Sequence, residues 1–175
     1  MIIIDYNGIA ISNIITQKLD IDENLIRHMI LNSIRMYRTK FKDKFGEVVI
    51  AGDAGGNWRY KAFPQYKAAR KKGRKDSKMD WNEIFRVINM VWEELGEHFP
   101  YKTIKIEGCE ADDIIGALAI RTQEFGHGEP VMIVSSDKDF IQLQKYNNVK
   151  QFSPIQKKAV TDKSPRTYLF NHIMR

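Results

Sequence analysis

Three short apolar runs in this chain each end on an aspartate. Ile2-Ile3-Ile4 leads to Asp5, Val48-Val49-Ile50-Ala51 leads through Gly52 to Asp53, and Val131-Met132-Ile133-Val134 leads through two serines to Asp137 and Asp139. Runs of this length, rich in β-branched residues and with no polar alternation, are the pattern of strands buried on both faces, as in a parallel sheet. A buried strand gains nothing in its core from a terminal carboxylate. In an open α/β sheet, however, ligands bind beyond the carboxyl ends of the strands. One such aspartate is ordinary turn chemistry; three, with a fourth acidic group at Glu110-Ala111-Asp112-Asp113, predict carboxylates that converge.

The segments between these runs read as helices. Leu25, Ile26, Met29, Ile30, Ile34 and Tyr37 follow helical spacing behind a cap at Asp20 or Asp22. Ile9 to Ile15 is a short apolar helix after a turn at Asn7-Gly8. Trp81, Ile84, Phe85, Ile88, Val91, Trp92 and Leu95 form a core-facing stripe, with Asp80 and Glu83 as a capping box and Pro100 as the stop. Thr103 to Ile106 is a third strand by order. Glu110 to about Glu124 is a helix closed by Gly126-His127-Gly128, Asp139 to Leu143 a short helix, and Val149 to Phe152 an outer strand. The alternation predicts an α/β fold with a mainly parallel central sheet and helices on both faces. At 175 residues the chain fits one domain, spanning 1–175.

The net charge is +6. Between Arg59 and Lys78 nine Lys or Arg face a single acid, Asp76, which is +8 in that window and leaves −2 for the remainder. Segment 54–78 opens with the turn residues Ala54-Gly55-Gly56-Asn57 and reads as irregular. Its cations interleave with Trp58, Tyr60, Phe63 and Tyr66, so phosphates can meet charge while bases stack on rings. A nucleic acid is the expected partner. No apolar run approaches the roughly 20 residues of a membrane span, and the single Cys109 allows no internal disulfide, which fits a reducing cytoplasm.

Asp5, Asp53, Glu110, Asp112, Asp137 and Asp139 in one crevice would repel one another unless cations intervene. All-oxygen ligands favour Mg²⁺, with Mn²⁺ as a substitute, over zinc; the four histidines are scattered. Two such ions about 3.5–4 Å apart are a phosphodiester-hydrolysing device. There is no phosphate-binding loop of the NTPase kind and no nucleophile elbow.

These motifs together carry a resemblance. Ile4-Asp5-Tyr6, Asp53, Tyr66-Lys67-Ala68-Ala69-Arg70, Glu110-Ala111-Asp112-Asp113 and Ser135-Ser136-Asp137-Lys138-Asp139-Phe140-Ile141-Gln142-Leu143 resemble the 5′ nuclease (flap endonuclease-like, PIN-like) superfamily, most closely its T-even phage ribonuclease H branch. The stretch Val149 to Pro154 with Lys157-Lys158 is similar to that branch too. The resemblance implies a PIN-like nuclease domain that cleaves 5′ ends, flaps and the RNA of RNA·DNA hybrids with two Mg²⁺ ions, in the host cytoplasm if phage-encoded. It places Asp5, Asp53, Glu110, Asp112 and Asp137 around a first metal and Asp139 toward a second, with Asp113 behind them or at the helix start. Lys67 and Arg70 match catalytic cations of an arch or bridge (54–78) that steer the scissile phosphate, and Arg59, Tyr66, Lys71 and Lys72 would assist in holding the nucleic acid.

In that superfamily a helix-turn-helix element with a Gly-Asp-x-x-Asp turn normally follows. Residues 165–175 are expected to be the start of that C-terminal region, supplied in full by a longer chain or by a second chain. A non-catalytic DNA-binding module and a PIN-type endoribonuclease are the competing readings; the six acids and the long basic segment speak against the latter.

Overall fold

The computed structural model describes residues 1–17, 22–124 and 127–172. Six strands form one sheet: β1 (Ile2–Asp5), β2 (Val48–Ala51), β3 (Lys102–Ile104), β4 (Val131–Val134), β5 (Val149–Ser153) and β6 (Lys158–Val160), in the order β3-β2-β1-β4-β5-β6. All neighbours are parallel except β5 and β6. The registers Ile4↔Ile50 and Ile4↔Val134 bring the carboxyl ends of β1, β2 and β4 level. The chain winds outward from β1 first through β2 and β3, then in the other direction through β4, β5 and β6. The switch point therefore lies between β1 and β4, where such sheets open a crevice.

The helices are α1 (Tyr6–Gln17), α2 (Glu23–Phe45), α3 (Trp58–Ala62), α4 (Ala68–Asp76), α5 (Trp81–His98), α6 (Ala111–Arg121) and α7 (Tyr168–His172). Both sheet faces are covered, as the unalternating apolar strands predict. Ile2, Ile4, Ile50 and Val134 pack against α1, α2 and α5, while Ile3, Val131 and Ile133 pack against α6. Tyr6 and Trp92 meet edge to face at 5.1 Å, and the Tyr6 hydroxyl donates to the Ile88 carbonyl at 2.6 Å.

Several local expectations are corrected. Asn7-Gly8 is not a turn, because α1 begins at Tyr6 directly after β1. The Asp5 carboxylate accepts from the Gly8 amide at 2.9 Å and so satisfies a free donor of the first helical turn. Asp80 caps α5 through the Asn82 and Glu83 amides, but Glu83 turns to Arg86 instead of closing a capping box. Segment 54–78 is largely helical, as α3 and α4. The third strand is Lys102–Ile104, and α6 ends at Arg121. The short helix after Asp137 is a 3-10 helix, Lys138–Lys145. β5 is not outermost: a turn at Pro154–Lys157 returns the chain as the exposed β6. Asp22 caps α2, whereas the alternative cap Asp20, together with Gly126, Ile173 and Met174, lies outside the described residues.

Candidate metal centre

A cleft of about 1200 Å³ opens at the switch point, and Asp5, Asp53, Glu110, Asp112 and Asp137 all line it, with Lys67 and Arg70. The five reach it from four places in the fold, Glu110 and Asp112 sharing the start of α6. Asp5 ends β1, the central strand. Ser135 donates from its hydroxyl to the other Asp5 oxygen at 2.8 Å, so the carboxylate is held from both sides. Asp53 follows β2; its Oδ1 accepts from the Ala111 amide at 2.8 Å and thereby caps α6, and its own amide donates to Asn7 Oδ1. Asp112 stands in the first turn of that helix, where negative charge is favoured. Asp137 follows β4 and caps the 3-10 helix by accepting from the Asp139 amide at 2.9 Å.

The carboxylates feel one another. Burial pushes the Asp112 carboxyl up to about 7, with Asp5 and Asp137 adding to the effect. Burial raises Asp5 as well, against the opposing hydrogen bonds from Gly8 and Ser135, and the Asp53 and Asp137 charges push the same way. Among the described residues no three acids stand close enough together to ligate one ion as they are placed. They line the walls of the cleft instead, which is what mutual repulsion between like charges favours. The donor set is all oxygen and fits a hard divalent cation carried with part of its water shell.

Asp139 is exposed and does not line the cleft. Its carboxyl is nevertheless raised, by desolvation and then by Asp137, while Arg70 opposes the shift. Glu110 differs from the other acids. It is 7% exposed, and its carboxylate accepts from Lys67 Nζ at 2.6 Å and from the Tyr66 hydroxyl at 2.8 Å. Burial alone would raise it, but these two partners and the Arg59 charge hold it below the ordinary range. Arg59 grips Asp113 with both guanidinium nitrogens at 2.7 Å, and Asp113 in turn accepts from the Glu110 amide. Arg59 and Tyr66 therefore face the acids, and Lys71 and Lys72 are exposed on α4.

Sequence reasoning passed over several residues at this site. Ser135 holds Asp5 and also accepts from the Asp137 amide. Gln151, 1% exposed, donates to the Ser135 and Asp137 carbonyls at 3.0 and 2.6 Å and fixes the loop that carries the carboxylates. The available signal was weak, because β5 also carries Lys150 and Ser153, so a polar residue at 151 does not stand out. Phe85, read as core, lines the cleft.

The model of the 5′-3′ exonuclease N-terminal resolvase-like domain matches residues 2–168. The chain is 39% identical over 168 residues to the ribonuclease H of Enterobacteria phage T4, covering 93% of this chain and 54% of that protein, so it spans about half the relative's length. Among solved structures, the T5 5′-exonuclease with bound divalent metal ions (zinc) superposes with a TM-score of 0.73 at 18% identity, over 98% of this chain and 60% of that one. The T5 D15 flap endonuclease in a pseudo-enzyme-product complex with DNA and metal ions gives 0.71 at 19% identity, over 98% and 59%. The fold is thus shared with those nucleases, and the chain belongs to the 5′-3′ exonuclease family, matching its N-terminal resolvase-like domain.

Proposed function

We propose that this chain is the catalytic domain of a 5′ nuclease that hydrolyses phosphodiester bonds at the 5′ ends of DNA, at flaps and in the RNA of RNA·DNA hybrids, the chemistry of primer removal in replication. The observation that carries the reading is one cleft lined by Asp5, Asp53, Glu110, Asp112 and Asp137 together with Lys67 and Arg70. DNA and metal ions in the T5 flap endonuclease complex support the choice of ligands. Asp5, Asp53, Asp112, Asp137 and, on release from Lys67, Glu110 would hold Mg²⁺ or Mn²⁺, with Asp139 at the outer side toward a second ion. When bound, such ions supply a Lewis acid that favours deprotonation of water and stabilises a leaving oxyanion.

The protein's own groups do the rest. Ser135 and the Gly8 amide fix the Asp5 carboxylate. Lys67 and Arg70 meet the phosphates of the strand being cut. The exposed rings of Trp58, Tyr60 and Phe63 offer stacking faces beside them. With a 5′-labelled flap and Mg²⁺, Asp137→Asn is expected to abolish cleavage while the fold persists. Undiminished cleavage by that variant would sink the reading.

The dispersal of the acids favours a second reading, binding of DNA without turnover. It predicts DNA binding that weakens with salt and is lost on joint Lys67→Ala and Arg70→Ala substitution, with no product even in Mn²⁺.

A further inference from the structure

Glu110 is nine-tenths buried at the edge of the acid cleft, yet both of its oxygens are occupied by residues of segment 54–78, a strap whose residues also line the cleft. Lys67 Nζ sits 2.6 Å from one, and the Tyr66 hydroxyl donates to the other at 2.8 Å, with Arg59 Nη1 3.5 Å away. The Lys67 ammonium thus stands where a cation would stand on a metal-ligating carboxylate. Lys67 also has φ +54°, in the left-handed region that costs any residue with a Cβ. Such a conformation persists only where surrounding contacts hold it. Here the visible contacts are the pair on Glu110. Other ties lie at the two ends of the segment, Arg59 on Asp113 at one and Arg74 against Phe85 and Trp81 at the other, while α3 and α4 themselves bury no residue, so the grip on Glu110 is what holds the middle.

We propose that Lys67 and a divalent cation compete for Glu110, so that loading the cleft with metal unlatches the strap and frees Lys67 for the substrate phosphate. The proposal rests on the metal-nuclease reading and adds its regulation. In the latched state Lys67 neutralises Glu110 and cannot reach for a phosphate. With the carboxylate given to the ion, the ammonium is released, and residue 67 is free to leave its left-handed conformation and join α4. By linkage the effect runs both ways: whatever weakens the latch strengthens metal binding by the same factor.

Two measurements on the intact chain without nucleic acid test this. Calorimetric titration with Mn²⁺ should show Lys67→Met binding about tenfold tighter than the parent chain, with Tyr66→Phe intermediate and Lys67→Arg close to parent. Hydrogen exchange should show amides of 59–76 exchanging faster when Mn²⁺ is added, and already fast without metal in Glu110→Gln. Mn²⁺ binding that leaves exchange over 59–76 unchanged, or equal affinity in Lys67→Met and the parent, would overturn the latch and leave the metal reading intact. Absence of Mn²⁺ binding in every variant would overturn both.

Discussion

Gly8 shows how closely the backbone is drawn around Asp5. A Cβ at position 8 would lie 2.5 Å from one carboxylate oxygen and 2.8 Å from its carbon. Asp5 cannot simply swing aside, because Ser135 and the Gly8 amide hold it. The better helix propensity of alanine offsets only about 1 kcal/mol of so close an approach, so Gly8→Ala should lower the melting temperature by a few degrees. It should weaken Mn²⁺ binding by about 10–100-fold, the usual cost of disturbing a group that orients a ligand. Calorimetry beside a thermal melt checks both halves, and unaltered affinity would refute the argument. The carboxylates also predict a pH dependence. Asp112, with its pKa pushed to about 7, and Asp5 and Asp139, raised in the same direction, bind more protons in the native state than in the unfolded chain. Between about pH 4 and about pH 7 their contribution to stability therefore falls as pH rises. Glu110 and Asp113 are held low, so theirs is lost only as pH falls below the ordinary carboxylate range. In EDTA the chain should melt a few degrees higher at pH 5 than at pH 8, and Mg²⁺ should restore the loss at pH 8. A melting temperature that climbs from pH 5 to pH 8 in EDTA would count against the burial that raises these acids.

At the scale of elements, the strap is the part that ordinary packing leaves unexplained. The nine residues of α4 carry no buried side chain, and a helix so short is marginal alone. Its far end is tied by Arg74, whose guanidinium lies 4.9 Å from the Phe85 ring centre and 5.4 Å from that of Trp81, and by Trp81 Nε1 donating to Ser77 at 2.6 Å. Arg74→Ala should speed hydrogen exchange in 68–76 by about two- to fivefold, the size of an exposed cation–π contact, with little change in global melting. Exchange no faster than in the parent would mean the strap is tied elsewhere. The same region marks where the sequence stopped being legible. β1, β2 and β4 announced themselves because residues buried on both faces must be apolar without alternation, and the acids at their ends gave the crevice. The strap gave no comparable signal: its helices have no apolar face, and Gly55-Gly56 with a dense run of like charge reads as loop. β6 was hidden for a related reason, since an exposed edge strand of three residues need not be apolar. The grip of Lys67 on Glu110 joins residues 43 apart in the chain, and no local pattern announces it.

The whole molecule places its acids by topology, and the order of the strands also bears on how the chain is made. β1 precedes the other five strands of the sheet in the chain and lies in its interior, between β2 and β4. Its partner β2 follows within about fifty residues, but β4 begins only at Val131. During synthesis one edge of Ile2-Ile3-Ile4 therefore stays open until Val131–Val134 has followed. An unpaired apolar edge is a template for wrong pairing, so the nascent chain is exposed to aggregation until β4 docks, and slow translation before Val131 should lower the yield of folded protein.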